Sequence, residues 1–133
     1  MFQHVTKIRV RYADTDQMRL VHHAKYFEYF EQARSDLLRE IGLPYSEIEH
    51  MGFYLPVLEA YAKYRQPVRY DELIEVITSL QEIPTSRIRI EYEIRRDGEI
   101  LAEGHTVHIF VNAQSGKPTR APKKFLDIVA KAF

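Results

Sequence analysis

The chain has 133 residues, close to the commonest size of a single domain, so we expect one domain spanning residues 1–133. A hydrophobic fraction of 45% is ample for a packed core and excludes a disordered chain. Lysine plus arginine and aspartate plus glutamate each count 19, so no overall positive field favours nucleic acid. The absence of cysteine excludes disulfides, a thiol nucleophile and cysteine-type zinc sites.

The sequence shows neither a secretory signal nor a membrane span. The first five residues lack a basic segment followed by an apolar run. No apolar stretch approaches the roughly 18 residues that are needed to cross a bilayer. We therefore expect a soluble, cytoplasmic protein.

The N-terminal third predicts a strand followed by a long helix. Apolar and polar side chains alternate over residues 5–12, which is typical of a half-buried strand. Over residues 22–41 the apolar positions recur every three or four residues, which predicts a helix of about five turns. Gly42 and Pro44 form a strong stop signal. A short second helix is predicted for residues 45–51.

The rest of the chain is predicted to form four further strands and a short terminal helix over residues 122–133. Asp97-Gly98 is the clearest turn, because a type I′ hairpin needs two residues with positive φ. An α+β fold follows, with a five-stranded antiparallel sheet and one long helix on one face. The opposite face also carries apolar residues, so we expect dimerisation through strand pairing. The four predicted strands cover residues 56–66, 73–80, 88–94 and 100–111.

Residues 12–26 concentrate the chemistry of the chain. Asp14, Asp16, His22 and His23 place two carboxylates and two imidazoles within ten residues, immediately before the long helix. The first N–H groups of a helix lack intrahelical partners and carry the positive end of its dipole, so they can hold a developing oxyanion. A carboxylate there would have its charged form stabilised, as a base or nucleophile requires. These are the two parts that acyl transfer needs.

Spacing alone leaves a second interpretation open, in which Asp14 and Asp16 only cap turns and the start of the helix. A metal site that uses both neighbouring imidazoles is disfavoured, because adjacent helical residues point about 100° apart. We therefore expect no metal. His105 and His108 lie three apart on a predicted strand and hence on opposite faces, which favours structural roles.

A spaced motif runs through this segment, from Arg9-Val10 through Thr15-Asp16 to Val21, His23 and Tyr26, and the helix continues as Tyr29-Phe30-Glu31-Gln32-Ala33-Arg34. It resembles the 4-hydroxybenzoyl-CoA thioesterase family of hotdog enzymes, especially the acyl-CoA thioesterase branch associated with the Tol-Pal cluster. The similarity covers nearly the whole chain. It implies the hotdog fold, in which the five-stranded sheet wraps round the long helix, and we expect a homodimer that assembles to a tetramer.

The resemblance also implies roles for individual residues. Asp16 would be the catalytic carboxylate, acting as nucleophile or as general base for water. The backbone N–H near His23 would polarise the thioester carbonyl, and the His23 side chain would help to position substrate or water. Coenzyme A belongs to the substrate, so no separate cofactor is expected. Among the basic residues, Arg65 and Arg87 are candidates for binding its phosphates.

One position departs from the family pattern. The family's small residue, usually glycine, is Arg19 here; glycine permits positive φ or close approach to substrate, whereas arginine permits neither easily. Arg19 could instead bring a cation to an acyl or phosphate group. Tyr26 lines either the core or the acyl pocket. Glu31 is either a second carboxylate of the site or an ion-pair partner of Arg34.

We expect a thioesterase that hydrolyses a small or medium acyl- or aroyl-CoA to the free acid and coenzyme A. The alternative is a hotdog protein that binds acyl-CoA or assembles without turnover, with Arg19 as a symptom of lost activity. A hydratase is a third possibility, but it would need a differently placed Asp-His or His-Glu pair, and the Asp16 loop argues against it.

Overall fold

The computed structural model describes all residues from Met1 to Phe133. One long helix and two shorter ones accompany seven strands. In chain order the elements are β1 (Phe2–Arg9), α1 (Lys25–Ile41), α2 (Tyr45–His50), β2 (Phe53–Tyr54), β3 (Val57–Tyr64), β4 (Leu73–Leu80), β5 (Arg87–Arg96), β6 (Glu99–Asn112), β7 (Pro118–Thr119) and α3 (Lys123–Ala132).

The five long strands form one antiparallel sheet in the order β1-β4-β5-β6-β3. This confirms the predicted five-stranded antiparallel sheet with one long helix. The two further strands, β2 and β7, are two residues long and extend the sheet at the far end of β6. Sequence periodicity could not reveal them, because two residues contain no repeat. Asp97 and Gly98 have φ of 51° and 81°, which confirms the predicted β5–β6 turn.

The first strand lies three residues nearer the N-terminus than predicted, and the long helix is shorter than predicted. Strand β1 ends at Arg9, and residues 12–14 form a single 3₁₀ turn because the Asp14 carboxylate accepts a hydrogen bond from the Arg11 N–H. Helix α1 begins at Lys25 rather than His22. The preceding residues form a turn in which Nδ1 of His22 accepts the Ala24 N–H. At its other end α1 stops where predicted, with Gly42 in the left-handed conformation at φ 96°.

The Phe30 side chain of α1 packs onto the sheet where one strand has no side chain. Phe30 is fully buried on α1 and its ring stacks on that of Tyr92 in β5, with centroids 4.3 Å apart. Directly beneath it is Gly104 in β6. A Cβ atom at Gly104 would collide with the Tyr61 carbonyl oxygen and lie 2.9 Å from the Phe30 ring. The helix can therefore approach β6 this closely only because residue 104 has no side chain.

The outer face of the sheet is more polar than predicted. Across its central strands, charged side chains pair with one another instead of forming a continuous apolar surface. Several exposed apolar side chains lie on β3, which is a free edge of the sheet. The outer-face pairs are Arg65–Glu103, Arg89–Glu91, Arg95–Glu93 and His105–Glu59, and the exposed residues of β3 are Val57, Leu58, Tyr61 and Tyr64.

The two histidines of β6 point to opposite faces, as predicted. His105 lies on the outer face and its Nε2 is 2.8 Å from a Glu59 carboxylate oxygen. His108 is buried beneath α1.

None of the three helices combines the length and apolar character that crossing a bilayer requires.

Candidate active site

The loop between β1 and α1 is held in place by a segment far away in the sequence. Thr15 pairs with Val21 across the loop, and Leu20 pairs with Arg69. The Val21 N–H also donates to the Val68 carbonyl oxygen at 2.8 Å. Residues 15–21 therefore form a tight turn that is clamped against residues 68–70, just before β4.

Within this loop Asp16 uses only one of its two carboxylate oxygens. Oδ1 accepts the N–H groups of Met18 at 2.8 Å and Leu20 at 3.2 Å. Oδ2 accepts no hydrogen bond from the chain, and the residue is exposed. The predicted turn-capping role is thus present, yet it leaves one oxygen free for a substrate or water. The two interpretations of Asp16 are compatible.

Asp16 lies at the edge of a shallow cavity of about 330 Å³, which we call the Asp16 cleft. His23 shares this cleft, and Tyr26 is buried at its base. The ring of Tyr64 packs edge-on against Tyr26 with centroids 4.7 Å apart. The Tyr64 hydroxyl donates to the His23 carbonyl oxygen at 3.2 Å, which ties β3 to the start of α1. The other lining residues are Leu20, Val21, Arg65, Gln66, Pro67 and Val68.

One backbone donor at the start of α1 is free. The N–H of His22 donates to Asp14, that of Ala24 to the His22 ring, and those of Lys25 and Tyr26 to carbonyl groups in the same turn. The N–H of His23 has no acceptor in the chain. It stands at the positive end of the helix dipole. A carbonyl oxygen that accepted a hydrogen bond from this N–H would be polarised. The exposed carboxylate of Asp16 lies on the same cleft.

The other predicted site residues do not all gather here. Tyr26 and Arg65 line the Asp16 cleft, although the Arg65 guanidinium is engaged by Glu103. Arg19 lies in the loop but does not line the cleft, and Arg87 lies in a separate groove beside the β4–β5 turn.

Glu31 is an exposed residue further along α1 that borders a different cavity. Its alternative role, an ion pair with Arg34, is absent: neither residue forms an ion pair in the structure. The i,i+3 spacing made this pair possible without requiring it.

Asp14 differs from Asp16 in every respect that matters for catalysis. Its side chain is buried, with 2% of the residue exposed. Both oxygens are occupied: Oδ2 accepts from the Tyr29 hydroxyl at 2.9 Å and the Arg11 N–H at 3.1 Å, and Oδ1 accepts from the Arg11 guanidinium at 3.2 Å. Burial on its own raises the pKa of Asp14, but these hydrogen bonds and the Arg11 charge outweigh it and lower the pKa below 3.8. Asp14 is a structural anchor of the loop.

The Asp14 anchor predicts a specific loss of acid stability. A carboxyl group whose pKa is lower in the folded state stabilises the fold above its unfolded pKa and loses that contribution as the pH falls through the folded value. Asp14→Asn should therefore lower the free energy of unfolding by about 1.5–3 kcal/mol at pH 7. The difference from wild type should shrink below pH ~4. Urea unfolding at pH 7 and pH 3 checks this, with the exposed Asp127→Asn as control. An unchanged difference at both pH values would contradict the role.

Arg19 adopts the conformation that its family position favours for glycine. Its φ is 61°, in the left-handed region, and its carbonyl oxygen accepts the Tyr70 N–H at 3.1 Å. Arginine therefore occupies a conformation that a residue with a side chain does not adopt easily. The conformation is imposed by the clamp against residues 68–70, and it costs a residue with a side chain roughly 1–2 kcal/mol.

Replacing Arg19 by glycine should relieve this strain. Part of the gain is offset by the larger backbone entropy of glycine in the unfolded state, so Arg19→Gly should raise the free energy of unfolding by about 0.5–1 kcal/mol. Met18→Gly is a matched control, because Met18 has no positive φ and glycine there should be destabilising. Urea unfolding at one fixed protein concentration gives the comparison. A destabilised Arg19→Gly variant would show that the arginine side chain outweighs the strain.

Comparison with known proteins agrees with this architecture. The profile of the thioesterase-like superfamily matches residues 10–129. A putative esterase of Aquifex aeolicus is 36% identical over 121 residues, covering 91% of this chain and 93% of the relative. A putative acyl-CoA thioesterase of Bacillus subtilis is 35% identical over 127 residues, covering 93% and 92%. The solved structure of a DHNA-CoA thioesterase from Staphylococcus aureus superimposes with a TM-score of 0.91 at 30% identity, covering 98% of this chain and 91% of that one.

The fold is therefore the hotdog fold of the thioesterases, as the motif around Asp16 led us to expect. The chain belongs to the thioesterase-like superfamily. Its relatives support thioester hydrolysis as the class of reaction.

Two parts of the site were not predicted from the sequence. Tyr64 and residues 66–68 form the far wall of the Asp16 cleft, although they lie about fifty positions beyond Asp16 in the chain. Tyr64 was noticeable only as one of several aromatic residues on a strand. No local pattern indicates that its hydroxyl would reach the start of α1.

Proposed function

We propose that this protein hydrolyses acyl-coenzyme A thioesters at the Asp16 cleft. The observation that carries the proposal is the pairing of two unused groups on one cavity: Oδ2 of Asp16 and the N–H of His23. A thioester carbonyl held by that N–H would present its carbon to the carboxylate side of the cleft. Membership of the thioesterase-like superfamily supports the same reaction class.

The chemistry then needs only groups of the chain and water. With Asp16 as general base, its free oxygen takes a proton from a water molecule whose oxygen attacks the thioester carbon. The charge that develops on the carbonyl oxygen is stabilised by the His23 N–H at the helix start. The carbon–sulfur bond breaks, the thiolate of coenzyme A leaves and takes up the proton that Asp16 accepted, and the free acid remains. With Asp16 as nucleophile, a mixed anhydride forms first and water cleaves it.

We further propose a small or medium acyl or aroyl group as the substrate. The solved relative that is named as a DHNA-CoA thioesterase supports an aromatic acyl group. The Tol-Pal-associated branch is our proposal for the closer affiliation, on the resemblance carried by the motif around Thr15-Asp16 and by residues 29–34. Arg65, at the border of the cleft, is the basic residue best placed to meet the phosphates of coenzyme A.

Asp16→Asn tests the catalytic assignment. Because the amide neither accepts a proton readily nor attacks a carbonyl, thiol release from a panel of acyl- and aroyl-CoAs should fall by at least about 10²-fold. The matched control is Glu28→Gln, which removes one negative charge from the exposed first turn of α1 outside the cleft, and it should keep near wild-type activity. Wild-type rates in Asp16→Asn would refute the role of Asp16. Saturable binding of the panel by wild type without any thiol release would instead favour the non-catalytic binding protein.

We also propose that the protein is a homodimer joined through the free edge of β3. Four apolar side chains on this strand are between 45% and 51% exposed, a costly arrangement for an isolated chain. An edge strand also presents unpaired backbone N–H and C=O groups, so a second copy could continue the sheet. These four residues are Val57, Leu58, Tyr61 and Tyr64.

The edge contact predicts a specific change in mass. Light scattering after size exclusion should give wild type the mass of a dimer, or of a tetramer if dimers pair further. Leu58→Glu combined with Tyr61→Glu should reduce the mass to that of a monomer or a dimer respectively, because like charges would face each other across the joined strands. Tyr70→Glu changes a similarly exposed tyrosine off this edge and should leave the mass unchanged. A monomeric wild type at about 100 μM would contradict the proposal, as weak micromolar dimers are populated there.

A further inference from the structure

A second cavity lies between α1 and strands β5 and β6. Its volume is about 270 Å³, and it shares no lining residue with the Asp16 cleft. Arg34, which lines it, is eight residues beyond Tyr26 along α1, a distance of about 12 Å at 1.5 Å per residue. We call it the Arg34 cavity. The catalytic proposal does not use it.

His108, which lines the Arg34 cavity, belongs to a buried chain of hydrogen bonds. Nδ1 of His108 lies 3.1 Å from the Leu55 carbonyl oxygen, so this nitrogen must carry the hydrogen. Nε2 of His108 lies 2.9 Å from the Thr106 hydroxyl, and that hydroxyl lies 2.6 Å from the Tyr92 hydroxyl. In a neutral ring Nε2 accepts, so Thr106 donates to His108 and Tyr92 donates to Thr106. Each polar hydrogen of this series of hydrogen bonds therefore has an acceptor.

His108, Thr106 and Tyr92 are all uncharged at neutral pH. Burial lowers the pKa of His108 to about 4, and the nearby Arg34 charge acts in the same direction. Burial raises the pKa of Tyr92, and the Arg34 charge offsets only part of that effect. The guanidinium of Arg34 is thus close to both rings, and neither of them supplies a negative charge to balance it.

Arg34 is exceptional among the arginines of the chain. Six others form ion pairs with a carboxylate, and the five that do not are all exposed. Arg34 is the one arginine that is partly buried and has no carboxylate partner. Withdrawing a cation from water without a counter-charge is unfavourable, so an anion that entered the cavity would be favoured there. The six paired residues are Arg11, Arg39, Arg65, Arg89, Arg95 and Arg96.

We propose that the Arg34 cavity binds a small organic monocarboxylate, with the carboxylate on Arg34 and the apolar body against the walls. Leu38, Ile88 and Ile90 supply those walls. The exposed carboxylate of Glu31 stands on the border of the cavity and disfavours a phosphate or another dianion. The volume is slightly below the ~300–1,000 Å³ typical of sites for drug-sized ligands, which suits a single ring or a short chain.

Titration of the whole protein with 4-fluorobenzoate, followed by ¹⁹F NMR, tests the site. Wild type should bind it saturably, whereas 4-fluorobenzamide, which has the same ring without the charge, should bind at least about tenfold more weakly. Arg34→Gln should weaken 4-fluorobenzoate by a similar factor, and Arg34→Lys, which keeps the charge, should retain more of the affinity. The matched control is Arg39→Gln, which removes an exposed guanidinium of the same helix and should leave binding unchanged.

A crystal of wild type soaked with 4-bromobenzoate locates the ligand without relying on any variant. The anomalous bromine peak should lie in the Arg34 cavity. A peak only in the Asp16 cleft, equal binding of acid and amide, or unchanged affinity in a folded Arg34→Gln variant would each overturn the proposal. The readout is binding and not thiol release, so this test is independent of the thioesterase proposal. A protein without thioesterase activity could still bind the acid in this cavity, and an active thioesterase could fail to bind it.

Discussion

The packing of Phe30 of α1 against the sheet depends on the missing side chain at Gly104. Phe30 can lie on Tyr92 only because residue 104 has no side chain beneath the ring. This contact holds the middle of the helix against β5 and β6. At the start of the helix, His23 and Asp16 line one cleft.

Asp14 and Asp16 are separated by a single residue but differ in how many of their oxygens accept hydrogen bonds. Asp14 turns inward, where Tyr29 and Arg11 occupy both of its oxygens, and it has no capacity left for chemistry. Asp16 turns outward and uses one oxygen to shape the loop, leaving the other to the cleft. The same residue type thus anchors the turn in one case and keeps one oxygen free of hydrogen bonds in the other. The difference lies in the number of donors each carboxylate meets.

Charge compensation distinguishes the surfaces of the protein in a similar way. On the outer face of the sheet each central arginine meets a glutamate, so the face is polar but locally neutral. Under the helix, Arg34 lies near the neutral side chains of Tyr92 and His108 and forms no ion pair with a carboxylate. The first arrangement suits contact with water. The second leaves a cation without an ion-pair partner beside apolar walls, which is typical of binding sites and not of solvated surfaces.

The sequence by itself determined most elements of the fold and the membership of the thioesterase-like superfamily. Strand alternation, the helical period of α1 and the stop at Gly42 depend on neighbours a few positions apart, so they can be read along the chain. The motif centred on Thr15-Asp16 is equally local. The predicted strand continues past Arg9, and the predicted helix begins before Lys25. Hydrogen bonds that involve Arg11 and His22 form turns at these two places, and a periodic pattern does not contain them.

Only the tertiary structure decided which groups meet. That Tyr64 would close the Asp16 cleft, that Arg19 would be held at positive φ by residues 68–70, and that Arg34 would face His108 instead of pairing with Glu31 all depend on strand register and on the position of the helix over the sheet. Register and helix placement result from contacts between residues that are dozens of positions apart. A local pattern carries no information about such contacts, because the partners are brought together only when the core packs.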